Sequence, residues 1–288
     1  MNNPSELPGS SVFESVDNRM AMSQNDFNFL KGLIFEHAGI TLSDKNKSVV
    51  EDKIRPHIAG LGFASFEAYI GRIRDSDSFF ALHKQGLIDH ITTNETFFFR
   101  EPRHFEFLKE QVVKLDKPGN EFKVWSAASS SGEEAYSIAM LLKKELLHAQ
   151  WHVLATDISS RVLKKASEGH YSEFTVNRTP EDYRRRYLEE FVFPKSGGFE
   201  LAPDIRSKVE FRANNLATST SMIMRKFDMI FLRNVLIYFN SETKNQVISN
   251  LTQCLKPGGF LVIGHSENLM DVQTKLKSAG PSIYTLDE

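Results

Sequence analysis

The chain has 288 residues, enough for one large domain and a small one, with 41% apolar and 25% charged residues, as in ordinary water-soluble domains. Its formal net charge of −2 gives no bulk attraction to nucleic acid or anionic membrane. The single cysteine, Cys254, excludes an internal disulfide and suits the cytosol; no apolar run approaches the ~20 residues of a membrane helix, and the amino terminus has no signal-peptide core. Met1 to Met20 is polar, with Pro4, Pro8, Gly9 and several serines, and residues 1–22 are expected to form a disordered tail.

A helical domain is expected over 23–92. Ser23 is placed to cap a helix that carries Phe27, Leu30, Ile34 and Phe35 on one face and ends at Gly39. Asp44 is placed to cap a second, with Val49, Val50, Ile54 and Ile58, which Pro56 should kink or shorten. Phe66 to Arg74 and Phe79 to Ile91 supply two more helical patterns. Residues 93–121 read as a linker and a first helix of the following domain.

From Phe122 onward strands and helices alternate, which predicts a doubly wound parallel sheet over 122–288. Strand candidates are Phe122 to Trp125, Trp151 to Ala155, Val209 to Ala213, Phe227 to Leu232, Phe260 to Gly264 and Ile283 to Leu286. Helices are expected from the GEEAYSIAMLL run and over Ser159 to Glu168 and Ser241 to Leu255. The stretch FVFPKSGGFEL has the turn chemistry of an antiparallel hairpin, so an insert is expected at about 191–208.

The most informative stretch runs from Phe122 to Ser159. Ala127 to Gly132 are all small, which lets backbone approach a ligand at the carboxyl end of a strand. Asp157 closes the next strand, where an acid can accept from ribose hydroxyls. The turn lacks G-x-G-x-x-G, so a phosphate cradle is not expected. A cofactor with adenosine and no phosphate fits this pattern, and S-adenosylmethionine is the commonest such molecule.

Four motifs fall in order: TNETFFFRE (Thr93 to Glu101), WSAASSSGEEAYSIAM (Trp125 to Met140), LRNVLIYF (Leu232 to Phe239) and LKPGGFLVIGHSEN (Leu255 to Asn268). Together, over about Ser23 to Leu286, they resemble the chemotaxis receptor methyltransferase (CheR) family. The resemblance implies an all-helical amino-terminal domain, then a Rossmann-like α/β methyltransferase domain with a small antiparallel subdomain. It implies transfer of methyl from S-adenosylmethionine to chemoreceptor glutamates, leaving S-adenosylhomocysteine.

Carried over by position, the resemblance sets Asn94, Thr96 and Arg100 against the cofactor and reacting centre. Glu134 would bind the methionine ammonium and Asp157 the ribose. Asn215 and Leu216 would frame the adenine, with Arg233 and Asn234 nearby and Tyr238 toward the sulfonium. Arg100 and Tyr238 would be the catalytic pair. A glutamate nucleophile, with a reference pKa of about 4.3, is already ionised at neutral pH, so positioning matters more than a strong base. The implied partner is the cytoplasmic helical bundle of a chemoreceptor, met by a monomeric enzyme with no nucleic acid and no membrane insertion. The second helix is less basic than in well-studied relatives, because Lys45, Lys47, Lys53 and Arg55 alternate with Asp44, Glu51 and Asp52. The short insert argues against dependence on a receptor tether.

Blander roles compete at several positions. Phe97, Phe98 and Phe99 are expected to pack in the core and linker, and Arg184 to Arg186 to form a solvated face. His265, Ser266 and Glu267 sit too close in sequence to converge as a hydrolytic triad, and the nine histidines show no paired-ligand spacing, so no metal is expected. A nucleic-acid methyltransferase and a non-catalytic cofactor sensor are the competing functions. Mild acidity opposes the first, and the presence of both Arg100 and Tyr238 the second.

Overall fold

The computed structural model describes residues 21–218 and 225–287. The tail expected at the amino terminus lies, over 1–20, outside the described residues. Met22, its last residue, is buried, and its N–H reaches Glu51 Oε1 at 2.9 Å.

The chain divides into two compact units, one holding 41–91 with the residues up to 37, the other 38–40 with the remainder. The first unit is helical. Helix α1 (Gln24–Ala38) buries Phe27, Leu30 and Ile34, and Gly39 follows it with φ +70°, the left-handed conformation that stops a helix. Helix α2 (Lys47–Gly60) is not capped by Asp44, which instead pairs with Lys31 at 2.7 Å. A tight turn over Asp44–Asn46 precedes it, and Ser43 donates to Asn46 Oδ1 through both its N–H and its hydroxyl. Pro56 lies inside α2 and does not end it. Val50, Ile54 and Ile58 are buried along one face, which offsets the hydrogen bond that proline removes. Helices α3 (Phe66–Asp75) and α4 (Asp77–Ile91) complete the unit.

In the second unit, helix α5 (Pro102–Leu115) leads into a seven-stranded sheet. In chain order come β1 (Glu121–Ser126), helix α6 (Glu133–Glu145), β2 (Gln150–Asp157), helix α7 (Ser160–Glu168) and the short β3 (His170–Tyr171). The hairpin β4 (Val192–Lys195) and β5 (Gly198–Leu201) follows, then β6 (Val209–Ala213) and β7 (Phe227–Leu232). Helix α8 (Ser241–Cys254), β8 (Leu255–Ile263), β9 (Lys277–Gly280) and β10 (Ile283–Thr285) close the chain.

The sheet order is β6-β2-β1-β7-β8-β10-β9, parallel from β6 to β8 and antiparallel at the β10 and β9 edge. Val124, Val153, Met229, Phe231 and Val262 face one core with helices α5 and α6. The alternate residues Trp125, Leu154, Ile230, Leu261 and Ile263 face the other with α8. This period of two, apolar on both faces, is what a sheet covered by helices on each side requires. The inserted hairpin is present and gains a third strand, because β3 pairs with β5 to give the order β3-β5-β4.

The order reverses between β1 and β7. Strands run outward to β2 and β6 on one side and to β8 on the other, which opens a crevice at their carboxyl ends. Ser126, Asp157, Ala213 and Leu232, the last residues of β1, β2, β6 and β7, all end at that edge.

Candidate active site

The turn after β1 is built for close approach. Ser129 N bonds Thr156 O at 2.8 Å, Ser130 has φ 48°, and Gly132 has φ +94°. A Cβ on Gly132 would stand 2.8 Å from Ala166 Cβ and 3.1 Å from the Tyr171 hydroxyl, so glycine lets α6 start against α7. Tyr171 donates to Ser131 O at 2.7 Å and fixes the turn from behind.

Asp157 is joined to that turn. Its Oδ2 accepts from Ser130 N and its Oδ1 from Ser159 N, each at 2.9 Å. Asp157 is not the cap of α7. Ser159 does that through Val162 N, and the Asp157 carboxylate joins the Ser130 turn to the Ser159 N–H that precedes the helix. Ser130 Oγ donates to Asn94 O at 3.1 Å, which ties the segment before α5 to the same place. Asn215 and Leu216 follow β6, where Asn214 N bonds Asp157 O at 2.9 Å. Leu216 is buried in the second core, and Asn215 turns its own loop by accepting Ala217 N at 3.0 Å.

A second group of charges lies at the ends of β1 and β7. Arg233 is buried and donates from Nη1 to Glu134 Oε2 at 2.8 Å. Its Nη2 meets Glu101 Oε2 at 3.1 Å and donates to Arg100 O. Glu134 Oε1 accepts from Ser126 Oγ at 2.7 Å. Asn234, at φ 58°, donates from its side chain to Glu101 Oε1 at 3.3 Å. Burial pushes the Glu101 carboxyl upward, but the charge and hydrogen bond of Arg233, helped by Asn234 and His265, hold it below the usual range. Glu133, the other acid of the pair, is buried, bonded to Ser131 Oγ at 2.7 Å, and pushed up by desolvation.

The predicted residues thus form two hydrogen-bonded groups. Asn94 and Asp157 share one, beside Asn215; Arg100, Glu134, Arg233 and Asn234 share the other. Arg100 extends its guanidinium to Glu95 O at 2.9 Å. Thr96 and Tyr238 are half-buried, and no hydrogen bond among the described residues links their side chains to either group. Phe98 and Phe99 are fully buried, whereas Phe97 lies under Arg178 at 4.8 Å. Arg185 and Arg186 are exposed.

Two acids of the site were given no role from sequence, although both lie inside quoted motifs. Glu101 ends TNETFFFRE and Glu267 lies in GHSEN. Glu101 adopts φ 58° just before α5 and meets Arg233 and Asn234, contacts made by topology alone. Glu101, His104 and His265 also bring ligand atoms within 4.8 Å of one another. Arg233 already neutralises Glu101 there, and its positive charge opposes a bound cation.

The donor set fits an adenosine cofactor with a charged amino-acid end. An acid at the end of β2 suits ribose hydroxyls, and a carboxylate at the start of α6 suits an ammonium. The fold and site define an S-adenosylmethionine-dependent methyltransferase. Residues 94–284 match the CheR methyltransferase SAM-binding domain, and residues 25–92 match the CheR methyltransferase all-alpha domain. The chain belongs to the CheR methyltransferase family. It is 35% identical over 258 residues to the chemotaxis protein methyltransferase of Borreliella burgdorferi, covering 86% of this chain and 89% of that one. It is 34% identical to that of Escherichia coli over 96% of both chains. Against that of Salmonella typhimurium it is 33% identical, over 99% of this chain and 98% of the relative.

Proposed function

We propose that this enzyme esterifies glutamate side chains in the cytoplasmic helical bundle of chemoreceptors, working in the cytoplasm as a monomer. The observation that supports this most directly is the fastening of the segment from Asn94 to Glu101. Its amino-terminal end is bonded to the Ser130–Asp157 turn, and its carboxyl-terminal end to the Arg233–Glu134 pair. On this reading one segment would link the ribose side to the methionine side and bring Arg100 to the crevice.

Asp157, held by two amides, would take the ribose hydroxyls. Glu134 would take the ammonium beside Arg233, since a carboxylate has lone pairs for several donors. Asn94, Thr96, Asn215, Leu216 and Asn234 would line the remainder. S-adenosylmethionine supplies an electrophilic methyl on sulfur. Arg100 is suited to steer a substrate carboxylate by a charge-assisted fork, and Tyr238 to border the reacting atoms. Esterification removes a charge from the receptor bundle, which changes repulsion between its helices and shifts a poised equilibrium.

The test is transfer of labelled methyl from S-adenosylmethionine to chemoreceptor-containing membranes, with Arg100→Ala as control. Base-labile label on a receptor band, lost in the variant, is the expected result. Label stable to base, or label in nucleic acid, would overturn the assignment to glutamate.

A further inference from the structure

Glu267 touches none of the residues assigned above to ribose, ammonium or substrate carboxylate, yet its carboxylate is buried, with 8% of the residue exposed. Its two oxygens collect three backbone donors. Oε2 accepts from Gly264 N at 2.7 Å and from Asn234 N at 2.8 Å, and Oε1 accepts from Leu236 N at 2.8 Å. These donors come from the segments that leave two adjacent parallel strands, β7 and β8.

The segment after β7 needs such a hold. Asn234 adopts φ 58°, a conformation that residues with a side chain rarely take, and a single turn over Leu236–Tyr238 follows at once. Gly264 completes the joint by having no side chain. A Cβ there would lie 2.6 Å from Asn234 Nδ2, 2.8 Å from Glu267 Oε2 and 3.1 Å from Asn234 N. On the far side, Asn234 is held through its side chain by Glu101 at 3.3 Å.

We propose that Glu267 is a positioning residue for methyl transfer, setting the Asn234–Tyr238 segment so that Tyr238 borders the reacting centre. The proposal rests on the methyltransferase reading above. A carboxylate is required because all three partners are donors. Glutamine of the same shape keeps one acceptor oxygen and turns an NH2 toward an amide N–H. Arg233 has its own anchors in Glu134, Glu101 and Arg100 O, so loosening Glu267 acts on the backbone of Asn234 and Leu236, and through it on Tyr238, rather than on Arg233.

The test uses the full chain and Glu267→Gln, with Gly264→Ala as a second variant that presses on the same joint from the opposite side. Amide hydrogen exchange of the cofactor-free protein should rise about tenfold at 234–238 and stay unchanged in the rest of the sheet, as expected for one lost hydrogen bond. On receptor membranes kcat should fall about tenfold while KM and S-adenosylhomocysteine affinity stay within about threefold. Unchanged exchange at 234–238 would overturn the proposal, as would equal loss of kcat and cofactor affinity or faster exchange spread across the domain. If Glu267→Gln does not fold, Gly264→Ala decides by the same readouts. Absence of transfer by the wild-type protein would sink the receptor-glutamate reading instead, and the exchange measurement would still settle whether Glu267 holds the segment.

Discussion

Replacing His104 by phenylalanine should make the protein less sensitive to mild acid. His104 lies on α5 with 1% of its surface exposed, and neither ring nitrogen has a hydrogen-bond partner among the described residues. Burial, the nearby Arg233 charge and His265 push its pKa down to about 3, against a smaller opposite pull from Glu101. The unfolded chain binds a proton on this ring below its ordinary value of 6.5, and the folded chain does not until about 3. In that window the unfolded state holds more protons, so stability rises with pH and is lost as pH falls. At about 1.4 kcal/mol per pH unit, the interval from 6.5 down to pH 5 costs about 2 kcal/mol. Urea denaturation at pH 7 and pH 5 would measure this for both proteins. Wild type should lose about 2 kcal/mol more than His104→Phe over that step, whatever the two absolute values are. The edge-on contact with the His265 ring, at 4.6 Å, is one that phenylalanine can keep. Other acids and histidines titrate in both proteins and cancel in the comparison. Equal losses would refute the reasoning, since they would mean that His104 is already charged, or hydrated, in the fold.

The remaining predictions concern the crevice directly. Gly132→Ala should cost about 1–2 kcal/mol for its left-handed backbone and about 1–3 kcal/mol for crowding against Ala166; a loss under about 1 kcal/mol in urea denaturation would contradict the packing described. Asp157→Asn should weaken S-adenosylhomocysteine binding by about 1.5–3 kcal/mol, read by calorimetry, because hydrogen bonds to a charged acceptor are lost. An unchanged affinity would remove Asp157 from the ribose site. Arg100→Ala should lower methyl transfer far more than cofactor affinity, and equal loss of the two in a binding titration would rule out a substrate-steering role.

Which parts of this molecule were legible beforehand follows from the range of the forces involved. Strand β7 coincides with the apolar run Phe227–Leu232 because burial on both faces leaves a continuous signal, whereas the edge strand β6 (Val209–Ala213) shows instead the alternation of Val209, Phe211 and Ala213 with Glu210 and Arg212. The α1 stop at Gly39 and the antiparallel insert were local facts of backbone chemistry. The structure departs from the local pattern where two local rules compete. Asp44 looked like a cap, but Ser43 with Asn46 offers two hydrogen bonds one position earlier, leaving Asp44 for Lys31. Pro56 does not end its helix, which runs four residues further to Gly60, because tertiary burial of Val50, Ile54 and Ile58 outweighs one missing donor. Strand β3 is two residues long and has no period to detect, so pairing with β5 alone defines it. Strand β8 starts at Leu255 rather than Phe260, through a register shift that the glycine pair Gly258–Gly259 makes possible.

The same distinction governs the site. Asp157 ends β2 at the crevice, a position that sequence order encodes, whereas the expectation for Glu134, in the first turn of α6, rests on the motif resemblance. Glu101 and Glu267 could not be placed, since their partners lie far along the chain: Glu101 meets Arg233, and Glu267 meets Asn234 and Leu236. What these two acids share is that each fixes a strained, left-handed residue, Glu101 its own backbone and Glu267 that of Asn234. Burying a carboxylate is costly unless every oxygen finds a donor, and here the donors are the amides and the guanidinium that the crevice must hold still. The buried charge and the strained backbone therefore stabilise each other at the one edge of the sheet where strand order reverses. That is the physical reason why both acids sit beside the crevice rather than elsewhere along the sheet.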